Sequence, residues 1–120
     1  MSKRIQVGPN RWIGESEEPY VIAEIGINHN GSIDLCKKMI DQAVRVGVDA
    51  VKMQKRTIEE MYTKDALDVP YDKPYAFGKT YGEHKYALEF TDEQYFELQK
   101  YTHDQDCEFL VSGFDSTGFE

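Results

Sequence analysis

Two charged residues occupy positions where a folding chain usually places apolar ones. Glu24 interrupts the branched run of "YVIAEIG", and Lys52 interrupts "VDAVKMQ". Side chains alternate between the two faces of a β-strand, so Ile22 and Glu24 share one face while Val21, Ala23 and Ile25 take the other. By the same rule Ala50, Lys52 and Gln54 share a face, opposite Val51 and Met53. A carboxylate and an ammonium side by side can form a structural ion pair, which brings little stability for its desolvation cost. They can also do chemistry: the lysine grips an anion, and the carboxylate stabilises developing positive charge or handles a proton. Gln54 adds a neutral donor and acceptor on that face, and reads equally as a satisfied polar residue. Ser112, in "LVSGFD", sets a hydroxyl beside Gly113, where backbone amides can approach a phosphate or carboxylate; a plain strand terminus has the same look.

Other polar residues carry weaker signals. His29 lies between two asparagines in "GINHNG" with no second ligand at chelating spacing, so it reads as the organiser of the turn before a helix rather than as a metal ligand. The same stretch is neither GxGxxG nor a phosphate-binding P-loop. Glu83, His84 and Lys85 could touch a ligand, but a solvated segment accounts for them as well. Cys36 and Cys107 have no CxxC partner. They signal neither zinc nor a disulfide framework and read as ordinary thiols.

The elements that must position these residues follow from periodicity. "RIQVGPNRWIG" reads as a hairpin turning at Gly8, Pro9 and Asn10. Tyr20 to Ile25 is a strand buried on both faces. Ser32 as N-cap opens a helix with Ile33, Cys36, Met39, Ile40, Ala43 and Val44 on its apolar face, and Gly47 stops it. Val48 to Gln54 is the next strand, so this unit implies parallel pairing with a right-handed crossover. Thr91 and Gln94 fit a capping box for a helix running to about Asp104, followed by a strand at Glu108 to Ser112. The segment from Gln54 to Thr91 reads as a long connection with one short helix at Thr57 to Glu60, and connections of that length are usually functional or partly disordered.

The β/α alternation makes the chain α/β, and it reads as the N-terminal portion of a (β/α)₈ barrel with a leading β-hairpin, truncated after its third barrel strand. All of residues 1–120 are read as this one part, with the remaining strands lying outside it. In such barrels the active site forms at the C-terminal ends of the strands, where Glu24 and Lys52 point inward from neighbouring strands. The formal net charge of −8 argues against a nucleic-acid backbone or an anionic membrane as partner. No run approaches the roughly 18 to 20 apolar residues of a membrane span, and the start lacks the apolar core of a secretory signal, so a cytoplasmic protein is the expectation.

With "AEIGINHNGS", "AVKMQ" and "YGEHKYALEFTDEQ" in view, the chain closely resembles the sialic acid (N-acetylneuraminate) synthase family from about Ile5 onward. The resemblance implies a (β/α)₈ barrel followed by a small antifreeze-like domain, a homodimer, and a bound divalent metal, Mn²⁺, on histidines beyond Glu120. It also implies condensation of the small molecules phosphoenolpyruvate and N-acetylmannosamine, or a related amino sugar, to a nine-carbon 2-keto sugar acid with release of phosphate. Glu24 matches the family's active-site glutamate in E-I-G-x-N-H. Lys52 matches the lysine of V-K-x-Q that holds phosphoenolpyruvate, with Gln54 beside it. Ser112 falls where many members have S-T-P-F-D-like sequence; here "VSGFD" keeps the hydroxyl but substitutes Gly113. Two alternatives stand beside this one: a legionaminate or other ulosonate synthase of the same family, and a truncated, non-catalytic paralogue acting as a binding module. As an isolated 120-residue segment the chain is expected to be inactive.

Overall fold

The computed structural model describes residues 3–119. Its hairpin pairs β1 (Arg4–Gly8) with β2 (Arg11–Gly14) in antiparallel fashion, turning at Pro9 and Asn10, while Gly8, read from the sequence as part of the turn, ends β1 and pairs with Arg11. Behind it β3 (Ile22–Gly26), β4 (Ala50–Lys55) and β5 (Glu108–Gly113) form a parallel sheet in that order. Helix α1 (Ile33–Arg45) connects β3 to β4, and α5 (Asp92–His103) precedes β5. The fold is therefore α/β with parallel strands and helical crossovers.

The core lies between the sheet and these two helices. Ile25, Val51, Met53 and Phe109 from the strands meet Cys36, Ile40 and Ala43 of α1 and Tyr95 and Leu98 of α5, all buried. Both cysteines are buried free thiols. The opposite face carries Ile22, Glu24, Lys52, Gln54, Leu110 and Ser112, the set that strand alternation selects. Ile22 and Leu110 are exposed on it.

The helix ends follow local chemistry. Ser32 accepts a hydrogen bond from the Leu35 amide, and Gly47 at φ +85° ends α1 in the left-handed region that glycine adopts freely. Thr91 and Gln94 make both halves of the expected capping box. The strand boundaries shift by one or two residues from the sequence reading. The Val48 amide is used by the Ala43 carbonyl to close α1, so β4 begins at Ala50 rather than Val48, and β3 begins at Ile22 and runs through Gly26.

The long connection departs most from expectation. It holds three short helices, α2 (Ile58–Met61), α3 (Lys64–Leu67) and α4 (Tyr81–Leu88). Thr80 and Glu83 form a capping box at the start of α4, whereas Thr57 makes no side-chain cap on α2. His84 is buried, accepts from the Phe77 amide and packs on Tyr71, so the segment around it is a satellite core rather than solvated coil. Gly31 lets this layer close on the sheet, since a Cβ there would lie 2.0 Å from the Ala87 carbonyl oxygen.

Candidate functional site

The register of the parallel sheet sets Glu24 opposite Lys52 and Gln54 opposite Ser112. The Lys52 ammonium lies 2.7 Å from a Glu24 carboxylate oxygen and donates to Ser112 Oγ at 3.2 Å. Gln54 Nε2 is 3.5 Å from the other Glu24 oxygen, at the long limit of hydrogen bonding. All four residues singled out from the sequence thus meet in one cluster across three adjacent strands. Within residues 1–120 the Lys52 side chain is 33% exposed and that of Glu24 42%.

The end of β3 is shaped for this meeting. The pairing with β4 shifts register between Glu24 and Gly26, and Gly26 takes φ +57°. A Cβ on Gly26 would lie 3.3 Å from Glu24 Oε1 and 3.4 Å from Gln54 Nε2, so glycine leaves space for the two polar groups. Gly113, the departure after Ser112, has an equally local reason. A Cβ there would sit 2.7 Å from the Gly118 carbonyl oxygen, where the 3₁₀ turn Thr117–Phe119 folds back over the end of β5.

Arg56 is a member of the cluster that the sequence reading missed. It follows β4 directly and continues the alternation of Lys52 and Gln54, a signal obscured because Thr57 beside it reads as a helix start. Its Nη2 donates to Gln54 Oε1 at 2.6 Å, its guanidinium carbon lies 4.2 Å from the Phe114 ring centroid, and Glu89 accepts from its backbone amide. Burial raises the pKa of the Glu89 carboxyl, against the opposing pull of Arg56.

His29 stands beside the site without joining it. Its Nδ1 accepts from the Gly31 amide, its ring stacks on Phe90 with centroids 4.0 Å apart, and burial lowers its pKa to about 4. This is the turn-organising role expected of it. Two clefts lie elsewhere. One of about 570 Å³ includes Arg11, Tyr20, Asp49 and Glu108 near the N-terminal ends of the strands, and another of about 630 Å³ includes Tyr62, Leu67, Thr80 and Tyr86 in the connection. Among the described residues no group of three or more His, Cys, Asp or Glu side chains is placed to hold a metal ion. These residues do not by themselves fit a metal centre. No helix among the described residues is long and apolar enough to cross a membrane.

Residues 39–120 match the sequence model of the NeuB family. The chain belongs to the NeuB family. Its relatives there include the human N-acetylneuraminate-9-phosphate synthase, 42% identical over the whole chain, and the Drosophila melanogaster protein of the same name, 44% identical over 84% of it. The N,N'-diacetyllegionaminic acid synthase of Legionella pneumophila is 32% identical over 95% of the chain. The chain spans about a third of the length of these NeuB relatives, 33%, 27% and 34% respectively. The fold agrees with the family. A crystal structure of N-acetylneuraminic acid (sialic acid) synthetase from Leptospira borgpetersenii, in complex with citrate, superposes with a TM-score of 0.77 at 26% identity. That superposition covers 99% of this chain and 37% of the other.

Proposed function

We propose that the polypeptide carrying this sequence condenses phosphoenolpyruvate with an amino sugar, giving a nine-carbon 2-keto sugar acid and phosphate. The observation that carries the reading is Lys52 Nζ set between the Glu24 carboxylate and the Ser112 hydroxyl on neighbouring parallel strands. That arrangement offers one mobile positive charge, one hydroxyl donor and one fixed negative group. Lys52 and Ser112 hold the anionic oxygens of phosphoenolpyruvate, and Gln54 adds its amide. A bond forms between C3 of phosphoenolpyruvate and the aldehyde carbon of the sugar, water adds at C2, and the bond from C2 to the phosphate oxygen ends broken. Glu24 stabilises the positive charge that develops at C2 or takes the proton of the attacking water. When Lys52 turns to the ligand, its present partner Glu24 is released for that work.

The relatives at 42% and 44% identity are named for a 9-phosphate product. Three carbons come from phosphoenolpyruvate and six from the sugar, so carbon 9 of the product is carbon 6 of the sugar. A phosphorylated N-acetylmannosamine is therefore the favoured acceptor, ahead of the free sugar or a 2,4-diacetamido sugar. A divalent metal, Mn²⁺, a homodimeric state and a cytoplasmic setting belong to the same proposal, the metal on ligands outside residues 1–120. Residues 1–120 alone are expected to be inactive.

Phosphate release by the full-length protein with phosphoenolpyruvate, Mn²⁺ and each of the three sugars in turn tests the reading. Release with the phosphorylated sugar alone is the expected result. Release with another sugar moves the assignment within the family, and a folded, metal-loaded protein that releases none supports the non-catalytic module.

A further inference from the structure

The Gln54 amide has an oxygen that only accepts and a nitrogen that only donates, and the two ends have nearly the same shape. What decides its orientation is therefore the chemistry of its neighbours. On one side stands the Arg56 guanidinium, which has donors and no acceptor, with Nη2 2.6 Å from Gln54 Oε1. On the other stands the Glu24 carboxylate, which as an ion only accepts, 3.5 Å from Gln54 Nε2. Turning the amide over would set donor against donor at Arg56 and acceptor against acceptor at Glu24. The backbone of Gln54 is pinned as well, its carbonyl accepting from the Tyr95 hydroxyl at 2.8 Å.

Arg56 is itself held from two other segments. Glu89, at the end of α4, accepts from the Arg56 backbone amide at 3.2 Å and lies 3.9 Å from Nη1, while Phe114, after β5, covers the guanidinium. Arg56 and Glu89 side chains are each only 14% exposed. Such a guanidinium is better placed to fix a neighbour than to travel to a ligand.

Building on the proposed condensation site, we infer that Arg56 is a positioning residue. It holds the Gln54 amide with its N–H groups turned toward Glu24 and the substrates, so that the site recognises an accepting oxygen at that point. One Nε2 hydrogen faces Glu24, and the second is available to a carboxylate, carbonyl or hydroxyl oxygen of a bound substrate. The connection between β4 and α5 thereby acts on the site through Glu89, although none of its short helices supplies one of the four residues read from the sequence.

The test uses the full-length protein, with Arg56→Met, Gln54→Ala and the double variant compared in steady-state kinetics for both substrates. Arg56→Met is expected to raise the KM of the substrate that meets Gln54 about tenfold, the scale of a lost charged hydrogen bond, with kcat changed less than twofold. In the Gln54→Ala background the same substitution should add nothing. Arg56→Lys, which keeps a donor, should recover part of the loss. An equal loss from Arg56→Met in both backgrounds overturns the inference. A second readout does not depend on turnover: the side-chain amide NMR signal of Gln54, assigned by its disappearance in Gln54→Ala, should move toward that of an exposed glutamine in Arg56→Met. An unmoved signal overturns the inference whatever the enzyme does. If Arg56→Met does not fold, the same comparisons are read on Arg56→Lys. Failure of the underlying functional reading looks different, since wild-type protein would then neither bind phosphoenolpyruvate nor respond to Lys52→Ala.

Discussion

At the scale of single residues, Glu24 and Lys52 are opposite charges with separable tasks. Glu24→Gln in the full-length protein is expected to abolish phosphate release while leaving phosphoenolpyruvate binding within a few-fold. Lys52→Ala should weaken that binding at least about tenfold, as expected for a charged hydrogen bond to an anion. Calorimetric titration of phosphoenolpyruvate beside the turnover assay checks both, and near-normal turnover in Glu24→Gln would remove the role given to it. Cys36 shows the opposite case of a reactive group made inert. Burial pushes its thiol pKa up to about 12, with its sulfur 3.9 Å from Met53 Sδ. At pH 8 it should resist iodoacetamide in the folded protein and react on unfolding, which mass spectrometry of the labelled peptide would show.

At the scale of elements, glycines with the same backbone sign differ in what surrounds them. Gly31 (φ +73°) would put a Cβ 2.0 Å from the Ala87 carbonyl oxygen, whereas Gly47 (φ +85°) has nothing within 4 Å. Gly47→Ala should cost about 1 kcal/mol, the left-handed strain alone, and Gly31→Ala clearly more, about 2–4 kcal/mol, because the loop after β3 must leave α4. Denaturant midpoints of the two variants provide the comparison. The loop's His29 links the same contact to pH. Its folded pKa of about 4 lies below the ordinary 6.5, so the unfolded chain binds more protons between those values. His29 therefore contributes stability that is complete above about pH 6.5 and is lost as pH falls through 4, the loss running at no more than about 1.4 kcal/mol for each step of one in pH across that window. His29→Asn should flatten the melting temperature across pH 6.5 to 4 relative to wild type. The connection was the least legible element, although the Thr80 and Glu83 capping signature is present in the sequence. What hid it was aromatic packing: Tyr71 and Phe77 pack on His84, and Tyr81 on Tyr71, with no periodicity to announce them.

At the scale of the whole molecule, Arg11 ties the hairpin to the sheet, donating to both Asp49 carboxylate oxygens and to the carbonyls of Glu18 and Pro19. The Arg11 hydrogen bond, helped by the Val21 amide, holds the Asp49 carboxyl below the usual carboxylate range despite its partial burial. Asp49 then contributes stability above its ordinary pKa that is lost as pH falls from about 4 downward. Thermal melts should show Arg11→Met to be less stable at pH 7 than wild type, with the difference narrowing in acid. The sequence by itself determined the parallel α/β plan, the caps of α1 and α5, the inward face of Glu24, Lys52 and Gln54, and Ser112 at the end of the third strand. Alternation along a strand and turn chemistry are local properties of the backbone, and they do not wait for the rest of the chain. Only the tertiary structure decided that Lys52 stands between Glu24 and Ser112, and that Arg56, held by Glu89 and Phe114, reaches Gln54. Those contacts join residues from distant segments, and strand register and loop packing, set when the whole core assembles, bring them within reach.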